Sequence, residues 1–99
     1  MKPRYQADGN QGDIVDALRD AGCSVSLIQG ANGVPGIPDL LVGRSGRNYV
    51  LEVKRPKAKG QQGGVLSDEQ RTWLACWRGS AAVVTTTDEA LRSVGLLLP

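Results

Sequence analysis

Residues 39–54 read DLLVGRSGRNYVLEVK, in which two apolar segments flank a short polar turn. Residues 44–47 favour a tight turn, and the alternation of residues 48–54 predicts the return strand of a β-hairpin. A loop of two or of four residues sets the same register, so Asp39 is predicted to lie opposite Glu52. Directly opposed residues share one face of a sheet, with Cβ atoms about 5 Å apart. The segment therefore predicts two neighbouring carboxylates.

Segments on either side of the hairpin predict three helices and two further strands. Helical spacing of apolar residues indicates an amphipathic helix that begins near Asn10 and stops at Gly22. Ser67 and Gln70 match a capping box at the start of a second helix, and Thr86 precedes a third. The expected fold is α/β, a central mixed β-sheet flanked by helices in the order αβββαβα. The strands are predicted at residues 23–28, 39–43, 48–54 and 81–85, a loop at residues 29–38, and the end of the second helix at Gly79.

Length and composition predict one globular domain over residues 1–99. Of the 99 residues, 40% are hydrophobic and 22% are charged. A chain of this size buries about two-thirds of its unfolded surface, which is too little for two independent cores. Residues 1–9 are expected to form a polar lead-in, and residues 55–66, which are basic and rich in glycine, a mobile loop. Neither a signal segment nor a membrane span is expected, which predicts a cytoplasmic protein.

The sequence contains no histidine and two cysteines, Cys23 and Cys76. Catalytic triads with histidine, cysteine–histidine proteases, histidine general bases and His/Cys zinc sites are therefore excluded. Any metal ion would need oxygen ligands. Both cysteines lie beside apolar residues, and we expect two buried thiols rather than a disulfide.

Lys54 is predicted to complete the pair of carboxylates. Side chains two residues apart on a strand share a face, so Lys54 lies on the same side as Glu52 and Asp39. Magnesium usually binds one or two protein carboxylates plus substrate phosphate. A lysine beside it orients or deprotonates water and offsets charge that grows on a scissile phosphate.

The alternative is a solvated pair of Glu52 and Lys54 on an exposed strand, which is the usual meaning of an isolated Glu-x-Lys. Three further features favour the metal site. Pro38 fixes the backbone just before Asp39, the hairpin register opposes the two acids, and a basic segment follows Lys54 directly.

Three motifs occur in order: Gly36-Ile37-Pro38-Asp39, Glu52-Val53-Lys54 and Ser67-Asp68-Glu69-Gln70. Together they resemble the VRR-NUC branch of the PD-(D/E)XK nuclease superfamily, over residues 11–95. The resemblance implies a restriction-endonuclease-like core that hydrolyses phosphodiester bonds of DNA with Mg²⁺, or with Mn²⁺ as a substitute. Compact members of this branch in phages and bacteria are associated with homodimers that cut four-way (Holliday) junctions. The resemblance makes Asp39, Glu52 and the Val53 carbonyl metal ligands, and Lys54 and Gln70 catalytic residues.

One position departs from the family pattern. Members commonly carry a glutamate on the first helix, and the helical spacing places Gln11 there. A glutamine at position 11 accepts a hydrogen bond or ligates a metal weakly but brings no negative charge. A second metal ion would therefore have one carboxylate ligand fewer. Asp8 and Asp13 are the alternative acids, although Asp13 falls on a different helical face. The simpler explanation of Gln11 is a polar residue near a helix start.

Two explanations stay open for Gln70 and for the tryptophans that follow it. The capping box alone accounts for Gln70, whereas the family resemblance makes it a site residue and its helical spacing with Trp73 and Trp77 turns it inward. Trp73 and Trp77 are suited to base stacking, but tryptophans within an apolar helical stripe belong more often to a core or a dimer interface. We expect packing.

Basic residues follow the predicted site and occupy the hairpin tip. Those after the site are expected to contact DNA phosphates without sequence preference, in binding that weakens with salt. The tip arginines would extend the same surface. A solvated loop and tolerated tip arginines are the alternatives. The glycines of residues 30–36 are not followed by a helix with a Lys-Ser/Thr pair, so no nucleotide cofactor is expected. The residues expected to bind DNA are Arg55, Lys57, Lys59, Arg44 and Arg47.

The leading hypothesis is a Mg²⁺-dependent, structure-selective DNA endonuclease, specifically a homodimeric junction resolvase. Two strands of a symmetric junction need two related active sites, which a twofold dimer supplies. A non-catalytic DNA-binding or assembly module is the alternative from another class, and it predicts metal-independent binding without cleavage. Within the enzymes, a nuclease that nicks flaps or duplex DNA is the nearer competitor.

Overall fold

The computed structural model describes residues 9–30, 33–56 and 64–97. Helices and strands of this part of the chain follow the predicted order αβββαβα. They are α1 (Gly9–Asp20), β1 (Ser24–Leu27), β2 (Leu40–Arg44), β3 (Arg47–Val53), α2 (Asp68–Cys76), β4 (Ala81–Val84) and α3 (Thr87–Ser93).

The strands form one four-stranded sheet in the spatial order β1-β2-β3-β4. β1 pairs with β2 and β2 with β3 in antiparallel fashion, whereas β3 and β4 are parallel. The sheet is therefore mixed, as predicted. Parallel strands need a long crossover connection, and α2 lies within it.

A two-residue loop with left-handed backbone closes the β2–β3 hairpin. Ser45 has a φ of 52° and Gly46 a φ of 76°, the signs of a type I′ turn, whose twist matches that of the flanking strands. Leu40 pairs with Leu51, which confirms the predicted register. Extended by one residue, the same register opposes the two predicted carboxylates.

The hydrophobic core lies between one face of the sheet and helices α1 and α3. α1 packs against β1 and α3, and α3 packs against β4. α1 ends before Gly22, whose φ of 94° suits glycine. Ala21, which continues the helical spacing of the apolar residues, lies beyond the helix and is exposed. The fully buried apolar residues include Ile14, Val15, Leu18, Leu40, Val42, Leu51, Ala90 and Val94.

Strand ends differ from the predicted ends by one residue. Asp39 forms a bend just before β2, and Lys54 follows β3. Cys23 and Ile28 flank β1, and Thr85 follows β4. A strand ends where its ladder of hydrogen bonds ends, and side-chain alternation in the sequence continues beyond that point.

Helix α2 begins as predicted but lies outside the core. The Ser67 hydroxyl accepts a hydrogen bond from the Gln70 N–H at 3.1 Å, in a complete capping box. The helix ends at Cys76 with Trp77 as C-cap, and not at Gly79. All residues of α2 are described, and none is buried. Trp73 and Trp77 therefore do not belong to the buried core of this chain, and the other kind of packing predicted for them, at a dimer interface, stays a prediction.

Both cysteines are free thiols, as predicted, but they differ in exposure. Cys23 is 7% exposed, and its burial raises the pKa of the thiol. Cys76 is exposed. Its predicted burial is wrong because it lies on α2, which covers no part of the core.

Two predicted segments lie partly outside the described residues. Of the polar lead-in at residues 1–9, only residue 9 is described, and it begins α1. Of the basic loop at residues 55–66, only the ends are described, and they meet where the Gly64 N–H donates to the Arg55 carbonyl at 3.1 Å. Among the described helices the longest has 12 residues, and none is long and apolar enough to span a bilayer.

Candidate active site

Asp39 and Glu52 lie together at the open end of the β2–β3 hairpin. The Ile28 N–H donates to the Asp39 carbonyl at 2.9 Å, and the Val53 N–H donates to Asp39 Oδ2 at 2.8 Å. Asp39 lies close enough to Glu52 for its charge to raise the pKa of the Glu52 carboxyl. Asp39 is 6% exposed and Glu52 is 2% exposed. The backbone bonds thus hold one buried carboxylate against another.

Lys54 supplies the cation beside this pair. Its Nζ lies 3.3 Å from Glu52 Oε2, and 18% of its side chain is exposed. Its N–H donates to the Val84 carbonyl at 2.9 Å, which continues the pairing with β4 past the end of β3. The structure therefore brings Asp39, Glu52 and Lys54 together, as the hairpin register and the strand period predict.

Glu52 has one buried oxygen without a hydrogen-bond partner. Oε2 accepts from Gln70 and pairs with Lys54, whereas Oε1 is buried and finds no donor among the described residues. Burial, and next the charge of Asp39, raise the pKa of Glu52 to about 7, although Lys54 acts in the opposite direction. An unpaired buried carboxylate oxygen costs free energy. A divalent cation would remove that cost, so the residues present fit such an ion.

The oxygen donors suit a hard cation that keeps some of its waters. Mg²⁺ is usually held by one or two carboxylates and completes its shell with waters and substrate oxygens. Among the described residues, no cluster of three or more His, Cys, Asp or Glu side chains occurs. Val53 lies at the site through its N–H bond to Asp39, and a ligand role for its carbonyl stays a prediction.

Gln70 has both of the roles that its sequence position left open. Its Oε1 accepts a hydrogen bond from the Ser67 N–H at 2.9 Å. Its Nε2 donates to Glu52 Oε2 at 3.0 Å. Capping fixes the acceptor end of the amide, so the donor end faces the carboxylate. The structure thus joins α2 to the site by one side chain.

Asn10 ties the start of α1 to the site, a role that sequence reasoning missed. Its Nδ2 donates to the Lys54 carbonyl at 2.7 Å and to the Thr85 carbonyl at 3.1 Å. Both carbonyls lie just past strand ends, where no ladder partner follows. An asparagine near a helix start is common for local reasons, so the sequence carried no signal for this contact.

Gln11 is buried next to Asn10, at 7% exposure. This burial agrees with its predicted helical face and places it on the end of α1 that reaches the site. A metal-ligand role for Gln11 stays a prediction. Of the two alternative acids, Asp13 is exposed, and Asp8 lies outside the described residues.

A groove of about 280 Å³ opens onto the site between α2 and the loop before β2. Asp39, Gly36 and Gln70 are among its lining residues. Gly36 has a φ of 80°, and a Cβ there would overlap the backbone of Glu69 and lie 2.8 Å from the Gln70 nitrogen. This close approach requires glycine, and it sets α2 beside Asp39.

The predicted DNA-binding residues are divided between the two ends of the hairpin. Arg55 is exposed directly after the site, and Arg47 is exposed at the tip. Arg44 donates from Nη1 to the Val94 carbonyl at 3.1 Å, which also gives it a structural role. β3 separates the tip from the acids by about 17 Å at 3.3 Å per residue, so the structure does not bring the tip arginines to the site. Lys57 and Lys59 lie outside the described residues.

Comparisons of the chain with protein-family models, with curated proteins and with solved structures found no match.

Proposed function

We propose that the protein is a Mg²⁺-dependent DNA endonuclease with the restriction-endonuclease-like core that its motifs resemble. The convergence of Asp39, Glu52 and Lys54, with one Glu52 oxygen buried and unpaired, carries the proposal. Carboxylates that hold a cation beside a positive side chain suit metal-assisted hydrolysis of phosphodiesters. A solvated surface pair does not explain a glutamate that is 2% exposed.

The two carboxylates hold the cation, and the neighbouring side chains orient them. Bound Mg²⁺ supplies Lewis-acid polarisation of the phosphate and lowers the pKa of a bound water. Lys54, at 3.3 Å from Glu52, offsets charge that develops on the scissile phosphate. Gln70 orients the same carboxylate through its hydrogen bond of 3.0 Å. Arg55, exposed directly after Lys54, adds phosphate affinity.

The finer part of the proposal is a homodimeric four-way-junction resolvase that acts on branched DNA in the cytoplasm. The resemblance to compact VRR-NUC proteins supports it. So does the symmetry of the substrate, because the acids described above form one site, and symmetric cuts in two strands need two sites related by a twofold axis.

Cleavage of labelled four-way junction, flap and linear duplex DNA, each with Mg²⁺, Mn²⁺ or EDTA, tests this function. We expect paired symmetric nicks across the junction that require the metal ion. Cleavage of flaps or duplex alone would keep the nuclease and discard the resolvase. Binding of all three DNAs without cleavage in either metal would discard the nuclease.

A non-catalytic DNA-binding module is the second candidate, and the small number of acids favours it. Among the described residues the site has no third acid, and Gln11 stands where members of the family it resembles commonly carry glutamate. This candidate predicts junction binding that EDTA does not change, with no nicks. Gln11→Glu would then be expected to create metal-dependent cleavage, because it restores the charge that members of the family it resembles commonly carry on the first helix.

A further inference from the structure

The outward side of α2 is apolar, and no described residue buries it. Trp73 and Trp77 stack with ring centroids 4.6 Å apart and planes at 17°. With Thr72, Cys76 and Pro35 they line a groove of about 500 Å³. We call these five residues the tryptophan surface. Trp77 is 46% exposed. Large aromatic side chains in a contiguous exposed patch mark an interaction surface.

The tryptophan surface continues onto the sheet. Trp77 also lines a second cavity of about 190 Å³ together with Leu41 and Val50. Leu41 is 39% exposed, and Val83 on β4 is 42% exposed. These strand residues lie on the face opposite to α1 and α3, because their neighbours along each strand face the core. One apolar area therefore extends from α2 onto the face of the sheet opposite to α1 and α3.

Charges of opposite sign lie at the two ends of this surface. Asp68 and Glu69, at the start of α2, line the groove. Arg78 is exposed directly after the C-cap of the helix. Glu69 lies four residues before Trp73, and Arg78 lies five residues after it. The surface is therefore self-complementary, since an antiparallel copy brings each acid to a base.

We propose that a second copy of this chain docks on the tryptophan surface, with the two α2 helices antiparallel about a twofold axis near Trp73. The tryptophans of both copies form the centre, and Glu69 of each copy pairs with the partner's Arg78 at the rim. Aromatic residues at the centre and charges at the rim are the usual anatomy of a protein interface. DNA is a poor occupant, because Glu69 repels phosphate and Asp68 is already paired with Arg71 at 3.3 Å.

The inference deepens the proposed function and rests on it for the role of the dimer, but not for the interface itself. α2 carries Gln70, whose amide donates to Glu52 at 3.0 Å. Interface and site therefore share one helix. Two chains paired along α2 present two sites related by a twofold axis, which paired cuts in a symmetric junction require.

Sedimentation equilibrium of the full chain, without DNA or metal, tests the interface independently of cleavage. We expect the wild type to be a dimer at micromolar concentration. Glu69→Arg and Arg78→Glu should each weaken association by at least about tenfold, because each creates two like-charge contacts. An equimolar mixture of the two variants should restore the dimer. Arg92→Glu, a matched charge reversal at an exposed position of α3, should leave it unchanged.

The proposal would be overturned by a monomeric wild type, by a dimer whose association neither charge reversal weakens, or by a mixture that does not reassociate. Trp73→Ala combined with Trp77→Ala should give a folded monomer, because α2 contributes no buried residue. A dimer that survives this double substitution would also overturn it. If that variant does not fold, the charge-reversed pair decides. Quenching of tryptophan emission by DNA in a chain that stays monomeric would assign the surface to base stacking instead.

Discussion

The side-chain amide of Gln70 joins a helix cap to a buried carboxylate, since its Nε2 lies 3.0 Å from Glu52 Oε2. The other end of the amide accepts the Ser67 N–H at 2.9 Å. The cap therefore fixes the direction in which the amide presents its donor. α2 has no buried residue, so this contact and the close approach at Gly36 position the helix against the site.

Gln70→Ala and Ser67→Ala separate the cap from the contact with the site. Each removes half of the capping box, and we expect each to lower the free energy of unfolding by about 1 kcal/mol. Gln70→Ala also removes the donor to Glu52, so metal-dependent cleavage should fall by about tenfold or more, against less than about twofold for Ser67→Ala. Urea denaturation and single-turnover rates measure the two effects. Thr86→Ala, which removes the cap of α3, is the control for stability. Equal losses of rate in the first two variants would contradict the orienting role.

Gly36→Ala is expected to displace α2 from Asp39. Gly36 and Gly46 both have positive φ, 80° and 76°, so alanine costs about 1 kcal/mol at either position. A Cβ at Gly46 meets nothing within 4 Å, whereas a Cβ at Gly36 overlaps the Glu69 backbone. We therefore expect Gly36→Ala to lower the free energy of unfolding by about 1–3 kcal/mol more than Gly46→Ala does. Denaturation of the two variants in parallel measures this, and equal losses would argue against the close approach.

Lys54→Met keeps the length of the side chain and removes its charge. We expect the cleavage rate to fall about 10²–10³-fold, because charge on the scissile phosphate is no longer offset. Thermal stabilisation by Mg²⁺ should persist, since both carboxylates remain and lose a competing cation. Scanning fluorimetry with and without Mg²⁺ measures the second effect, with Arg92→Met as the control for a lost charge. Loss of the Mg²⁺ effect in Lys54→Met would mean that the lysine shapes the metal site itself.

Glu52 gives the metal-free protein a specific dependence of stability on pH. Its pKa rises from 4.5 to about 7 in the folded state, through burial and Asp39. Between these values the folded chain holds a proton that the unfolded chain releases. The contribution of Glu52 to the free energy of unfolding is complete at a pH below its pKa in the unfolded chain. It is lost as the pH rises through its pKa in the folded chain, and the loss is at most about 3 kcal/mol. Urea denaturation at about pH 5 and about pH 8 should show this loss in the wild type and a smaller one in Glu52→Gln. The same slope in both proteins would refute it.

Sequence reasoning predicted the hairpin and its acids because local rules determine them. The left-handed turn at Gly46 sets the register, and the period of two places Glu52 and Lys54 on one face. The structure agrees on both points. The exposure of Cys76 and Trp77 was not predictable, although both have apolar neighbours. Apolar periodicity identifies a face that needs a cover, but not whether the cover belongs to the same chain.

Asn10 shows a second limit of reasoning from local patterns. Its side chain bonds the carbonyls of Lys54 and Thr85, which lie 44 and 75 residues away along the chain. Strand register predicts contacts between paired strands only. The approach of a helix end to two strand ends depends on how the whole sheet and α1 pack, and no spacing within the sequence encodes it.

Cleavage of a four-way junction by Glu52→Gln tests most directly the proposal that Asp39 and Glu52 hold a metal ion that cuts DNA. Glutamine keeps the size of the side chain and removes its charge. We predict that the wild type cleaves with Mg²⁺ and not with EDTA, and that Glu52→Gln lowers the rate by at least about 100-fold. Asp20→Asn, the same change at an exposed residue of α1, should cleave like the wild type. Wild-type cleavage by folded Glu52→Gln would show that these acids do not hold a catalytic metal.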